Sequence, residues 1–293
     1  MTEVDAAIAR KDESIEPFAS GTVDLDTGIH VYYERYGSGT PIVLIAGTSC
    51  DHTFWSFQVP KYASAHEVIL LDNRGAGRSS VVADVSSYSP AIMAGDVVAL
   101  LDVLGVDAAH IAGHSLGSCI AQELALCHPD RVLSAQLHAT WARSDQWLKQ
   151  AFIGTTRYPL AQGDAQFTFK TAMMWMLSPQ YLETRQPQRV ADMVTRSFVK
   201  NPHLQANDGM LGHLWADEVH DTADRLSAVR VPVLVTAGEA DYLIPARYGR
   251  AVANLIPDAR IHVFEGDRSS HALPWEMEEE FTEVTSTFLE GLT

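Results

Sequence analysis

The chain has 293 residues, enough for one large domain, or one domain carrying an insertion, around a substantial buried core. It is 46% hydrophobic and 20% charged, and 37 acidic against 21 basic residues leave a net charge of −16. That balance speaks against nucleic acid or an anionic membrane surface as the main partner.

Cys50, Cys119 and Cys127 are odd in number and irregular in spacing. They fit neither a disulfide framework nor zinc ligation, so no metal or cofactor is expected, and a reducing cytoplasm is the expected compartment. Met1 to Glu16 has no apolar run of the secretory kind, and no stretch has the length of a membrane span. A homodimer is the default expectation for a soluble protein.

Residues 1–20 are expected to form a flexible arm. Thr22–Leu25 and Ile29–Tyr36 alternate around Asp26-Thr27-Gly28 and predict an antiparallel hairpin at a sheet edge. Ile42–Ala46 and Glu67–Leu71 are continuous apolar runs, as in strands buried on both faces. Strands and helices then alternate: a helix over Pro90–Leu104, a strand at Ala108–Ala112, a helix over Ser115–His128 and a strand at Arg131–Leu137. The rhythm resumes with a strand at Val231–Ala237, a helix over Ala246–Leu255, a strand at Arg260–Phe264 and a final helix over Glu276–Leu289. Such βα repetition implies a mostly parallel sheet with helices on both faces.

Between about Ala139 and Ala228 there is no strand pattern, only helical periodicity broken at Pro159, Pro179, Pro187 and Pro202. This stretch holds four of the six tryptophans and reads as a helical cap over 139–228, inserted into a core made of 21–138 and 229–293. A cap over a cleft turns some apolar side chains toward it, so an apolar small-molecule pocket is expected, with Trp141 and Trp175 as lining candidates.

Gly113-His114-Ser115-Leu116-Gly117 matches G-x-S-x-G between a strand and a helix. The plainer reading is a βα turn with an incidental serine. A serine nucleophile needs a base, and the base an orienting acid. Asp241 follows the Val231–Ala237 strand, with Glu239 as the competing carboxylate and helix capping as the plainer role. His271 lies in the loop beyond the last strand, whereas His262 lies inside that strand. The order Ser115, Asp241, His271 is one in which such a triad is built. An oxyanion needs two donors. The Leu116 N–H is one candidate, and Thr48 N–H, in the loop Gly47-Thr48-Ser49-Cys50-Asp51-His52, is the other. Gly47 permits close approach, and Ser49 is a possible helper. Cys50 and His52 could be taken as a nucleophile pair, but no third group supports them.

Ile45-Ala46-Gly47 with Trp55, Asp72-Asn73-Arg74-Gly75-Ala76-Gly77-Arg78-Ser79, the Gly113–Gly117 elbow, Gly238–Pro245 and His271 together resemble the α/β-hydrolase superfamily from about Thr22 onward. The closest likeness is to its capped, cofactor-free members: enol-lactonases, methylesterases, C–C bond hydrolases and haloperoxidase-like esterases. The resemblance implies an eight-stranded, mostly parallel sheet with an inserted helical cap, and hydrolysis of an ester or lactone of a small, largely apolar molecule through an acyl-enzyme. C–C hydrolysis of a diketone-type substrate and a non-catalytic receptor on the same fold are the alternatives. Two departures stand out: Ala46-Gly47 replaces the usual His-Gly, and Ser118 replaces a further glycine after the elbow.

Overall fold

The computed structural model describes residues 15–163, 165–184 and 207–292. Eight strands form one sheet in the order β1-β2-β4-β3-β5-β6-β7-β8. β1 (Ala19–Asp24) and β2 (His30–Gly37) are the antiparallel edge hairpin, and β2 pairs antiparallel with β4 (His66–Leu71). β3 (Thr40–Ile45), β4, β5 (Ala109–His114), β6 (Val132–His138), β7 (Val233–Gly238) and β8 (Arg260–Phe264) run parallel. β1 starts inside the arm expected over 1–20. Ala19 pairs with Arg35, and the Phe18 N–H donates to the Arg35 carbonyl at 2.9 Å. Pairing with β2, not local propensity, extends this strand, since Ala-Ser-Gly carries no strand signal of its own.

The apolar runs alternate between two cores. Val43, Ile45, Ile69, Leu71 and Ile111 face one side, against α1 (Pro90–Leu104), α2 (Leu116–Cys127) and α7 (Ala246–Leu255). Ile42, Leu44, Val68 and Leu70 face the other, against Trp55, Tyr62 and α8 (Glu278–Glu290). The period of two sends successive side chains to opposite faces, and each large aliphatic buried this way contributes roughly 1.5–3 kcal/mol. α1 is bounded as its sequence predicts. The Ser89 hydroxyl accepts from the Ile92 N–H, Pro90 opens the first turn and Gly105 closes the helix in the left-handed region.

Between β6 and β7 the described residues hold α3 (Thr155–Ala161), α4 (Ala165–Met176), α5 (Pro179–Thr184) and α6 (Asn207–Val219). Pro159 sits within α3 and Pro179 opens α5, while Pro187 and Pro202 lie outside the described residues. The two ends of this segment run side by side: Ser144 N–H donates to the His220 carbonyl at 3.2 Å, and Thr222 N–H to the Ala142 carbonyl at 2.7 Å. Among the described residues no helix is long and apolar enough to cross a membrane.

Candidate active site

Ser115 stands between β5 and α2 with φ 54° and ψ −122°, a conformation that side-chain-bearing residues rarely adopt. The turn is tight because a strand and a helix meet there at close range. A Cβ on Gly113 would lie 2.1 Å from the Gly117 carbonyl oxygen, so only glycine fits. The place where a further glycine was expected tolerates Ser118, because its buried hydroxyl folds back to donate to the Ser115 carbonyl at 2.6 Å. Leu116 opens α2, so its N–H has no acceptor within the helix and stands next to the serine.

His271 and Asp241 meet beyond the ends of β8 and β7. His271 Nδ1 lies 2.9 Å from Asp241 Oδ2, with both side chains buried. The other carboxylate oxygen of Asp241 accepts from the N–H groups of Leu243 and Ile244 at 2.9 and 2.7 Å, an Asx-type turn. Asp241 thus does not cap α7, where Pro245 holds that position. The carboxylate only accepts, so Nδ1 carries the proton and Nε2 is left as the base. Glu239 is exposed, and His262 is exposed on β8, edge-on to Phe264. Ser115 and His271 are held together through His114, whose Nε2 donates to the His271 carbonyl at 2.9 Å. Among the described residues Ser115 Oγ makes no hydrogen bond of its own; such bonds often tighten only with substrate in place.

The loop after β3 lies against the serine. A Cβ on Gly47 would come to 3.0 Å from Ser115 Cβ and 3.1 Å from the His114 carbonyl oxygen. The loop lacks the expected bracing histidine at Ala46 but is braced otherwise. Asn73 Nδ2 donates to the Ala46 carbonyl at 3.0 Å, Ser49 N–H donates to His213 Nδ1 at 3.2 Å, and Thr48 Oγ1 donates to Asp217 Oδ2 at 2.7 Å. His213 Nε2 in turn donates to the Arg74 carbonyl at 2.7 Å, and burial holds this imidazole down at about 4, so it is neutral. His213 is therefore a satisfied core histidine that braces the loop.

Cys50 and His52 form no nucleophile pair. The Cys50 thiol is buried and its pKa is pushed up to about 12 by burial, with Asp51 adding to it. His52 turns away, its Nδ1 2.7 Å from Asp72 Oδ1 and its Nε2 3.4 Å from Glu34 Oε1. Burial alone would lower this imidazole, but the two carboxylates outweigh it and raise it to about 10. Asp72 also accepts from the His52 and Arg78 N–H groups, while Arg74 grips buried Asp96 with two bonds of 2.6 Å. The Asp72–Ser79 turn is thus a structural clamp.

A small cavity opens on Ser115. Its apolar wall is Trp141, Leu148, Ile153, Leu243 and Ile244; Ser144 and Asp217 complete it. Trp141 is placed as expected. Trp175 is not on the wall: it packs edge-on to Trp147 at 6.4 Å, within the cluster that contains Leu243 and Ile244. Gly47, Thr48, Ser49 and Leu116 also lie off the wall, although Gly47 touches the serine from the side. Leu148, Ile153 and Asp217 were not foreseen. A signal for Asp217 exists in α6, where Met210, His213, Leu214 and Asp217 follow helical spacing and are all buried, so an acid stands on the inward stripe.

The α/β-hydrolase fold family matches residues 40–273, the span from β3 to just past His271. The chain is a member of that family. A protein of Azorhizobium caulinodans named "Putative carbamate hydrolase RutD" is 34% identical over 272 residues, 93% of this chain and 97% of that one. The enol-lactonase of Burkholderia xenovorans LB400 superposes with a TM-score of 0.81 at 23% identity, covering 92% of this chain and all of its own, a likeness of fold. Est816, described as an N-acyl homoserine lactone degrading enzyme, superposes with a TM-score of 0.74 at 29% identity over 92% of this α/β hydrolase and all of Est816. Membership of this family supports hydrolase activity.

Proposed function

We propose that this α/β hydrolase cleaves an ester-type carbonyl (an ester, lactone or carbamate) of a small, largely apolar molecule, with Ser115, His271 and Asp241 as its triad. The observation that carries the reading is the 2.9 Å contact of His271 Nδ1 with Asp241, in a loop tied by His114 to the strained serine. The carbamate comes from the name of the A. caulinodans relative, the lactone from Est816, and the apolar preference from the cavity wall.

In this reading His271 Nε2 takes the Ser115 proton as Oγ adds to the carbonyl carbon. The developing oxyanion is held by the N–H groups of Leu116 and Thr48. Collapse expels the leaving group, which takes the proton from His271. Water, activated by the same imidazole, then releases the acyl or carbamoyl group. Asp241 fixes the tautomer throughout and stabilises the imidazolium. The helices over 139–228 act as the cap, supplying Leu148, Ile153 and Asp217 to the substrate side. The three unpaired cysteines support a reducing compartment.

The test is covalent labelling by an alkyl fluorophosphonate followed by peptide mapping. Stoichiometric modification of Ser115 is expected. A catalytically active protein left unlabelled at saturating probe would exclude the assignment and favour a different nucleophile.

A further inference from the structure

The cavity beside Ser115 is apolar except for three side chains, and two are accounted for. Ser115 is the proposed nucleophile. Ser144 accepts from Trp141 Nε1 at 2.9 Å and donates to the Asp217 carbonyl at 2.5 Å. Asp217 is different. It is 3% exposed, its Oδ2 is taken by the Thr48 hydroxyl, and its Oδ1 is buried with no hydrogen-bond partner among the described residues. A buried polar atom without a partner is rare in native proteins, and one on the wall of a binding cavity is an acceptor waiting for a donor. The proposed reaction does not use it: the triad has its acid in Asp241, and loop bracing needs only Oδ2.

We infer that Asp217 Oδ1 is a specificity-determining group that accepts a hydrogen bond from an N–H adjoining the scissile carbonyl, so that the site selects carbamates over esters of the same shape. This inference rests on the serine-hydrolase reading above. An ionised carboxylate only accepts hydrogen bonds, and a methylene in place of the N–H would leave Oδ1 buried and unpaired. The chemistry fits the relatives' name, but the group that performs it comes from the cavity wall.

The charged and titratable groups around Asp217 are His271, Arg157 and the Cys119 thiol. Burial raises the Asp217 carboxyl to about 7, against the lowering pull of the Thr48 hydroxyl, His271 and Arg157. Acceptance of an N–H therefore improves as pH rises through neutrality. Rates alone would mix this with the pH dependence of the shared chemical steps, but a ratio of two substrates processed by one triad cancels it.

p-Nitrophenyl N-ethylcarbamate and p-nitrophenyl butyrate differ only in N–H for CH2 beside the carbonyl. kcat/KM for each is measured by nitrophenolate release, corrected for spontaneous hydrolysis, in wild type, Asp217→Ala and Asp217→Asn. This quantity reports acylation even where decarbamoylation is slow. The carbamate-to-butyrate ratio is expected to fall tenfold or more in Asp217→Ala. In wild type it is expected to rise with pH through about 7, and in Asp217→Asn to be flat. An unchanged ratio in Asp217→Ala, a pH slope retained in Asp217→Asn, or butyrate turnover with no attack on the carbamate overturns the inference and leaves the hydrolase reading standing. A folded wild type inert toward both substrates overturns the hydrolase reading itself. If Asp217→Ala does not fold, the near-isosteric Asp217→Asn decides through its pH profile.

Discussion

His114 Nε2 donates to the carbonyl of His271 at 2.9 Å, so the residue before the serine holds the backbone of the histidine beyond the last strand. A carbonyl only accepts, which fixes the His114 tautomer and leaves its Nδ1 bare and, among the described residues, unpartnered. Burial, together with His271 and His138, pushes this imidazole well below its ordinary range, so it stays neutral. The elbow and the base loop are thereby one unit, and Ser115→Ala should leave that unit intact. The expected outcome is a drop in kcat of about 10⁴- to 10⁶-fold on a p-nitrophenyl ester, with an unchanged far-ultraviolet circular dichroism spectrum. Near-native turnover would remove Ser115 from the mechanism.

Asp241→Asn probes the tautomer. The asparagine oxygen can still accept from Leu243 and Ile244, but its amide nitrogen then faces His271 Nδ1 and donates to it. That would leave the proton on Nε2, where the base should be empty. A loss of roughly 10⁴-fold in kcat with little change in KM is expected from steady-state kinetics.

The order Ser115, Asp241, His271 was legible because each residue follows a strand whose apolar run is plain in the sequence. The hairpin, the parallel strands and the helix starts at Pro90 and after Ser115 were legible for the same reason. The cavity wall was not. Leu148, Ile153, Trp175 and Asp217 sit in a stretch of short helices broken by proline, where an error of one residue in helix register turns the inward stripe by about 100° and so hides which side chains reach the wall. The bracing that replaces the histidine at position 46 was equally hidden. Asn73, from the turn after β4, and His213 and Asp217, both on α6, reach that loop from two distant segments, a relation that sequence spacing cannot carry.

Asp217 also couples stability to pH. Its folded value of about 7 exceeds that of an unfolded chain, which is near 4. Below about pH 4 both states are protonated and the group is neutral in effect. As pH rises toward 7 the unfolded state loses its proton first, so stability falls. Asp217→Asn should therefore melt above wild type, with a gap that opens between about pH 4 and 7 and then levels off. The gap is worth on the order of a few kcal/mol by urea unfolding. A gap independent of pH would show that Asp217 ionises normally.

His52 acts in the opposite sense. Its folded value of about 10 lies above the ordinary imidazole value, so its stabilising contribution is complete below about pH 6.5 and is lost as pH rises through 10. His52→Gln removes the cation from buried Asp72, which keeps only backbone N–H donors, and should cost up to about 3–5 kcal/mol at pH 6. Urea unfolding at rising pH should show that difference shrinking toward pH 10.

Gly113→Ala forces a methyl group to 2.1 Å from the Gly117 carbonyl oxygen, a backbone atom that no rotamer can move. Loss of the soluble folded protein, or a fall in melting temperature of more than about 10 °C, is expected from differential scanning calorimetry.

The paired stems at Ala142–Ser144 and His220–Thr222 draw together like the mouth of a purse. Everything the proposal asks of catalysis, from Thr48 and Ser115 to Asp241 and His271, lies outside that closure, and Asp217 lies just inside it. The loop that carries Thr48 nonetheless leans on His213 and Asp217, and the cavity wall draws Leu148 and Ile153 from within the closure and Leu243 and Ile244 from outside it, so support of the chemistry and choice of substrate share one stretch of the chain. Exchanging that stretch would therefore alter the bracing of the oxyanion loop together with the taste for one carbonyl or another.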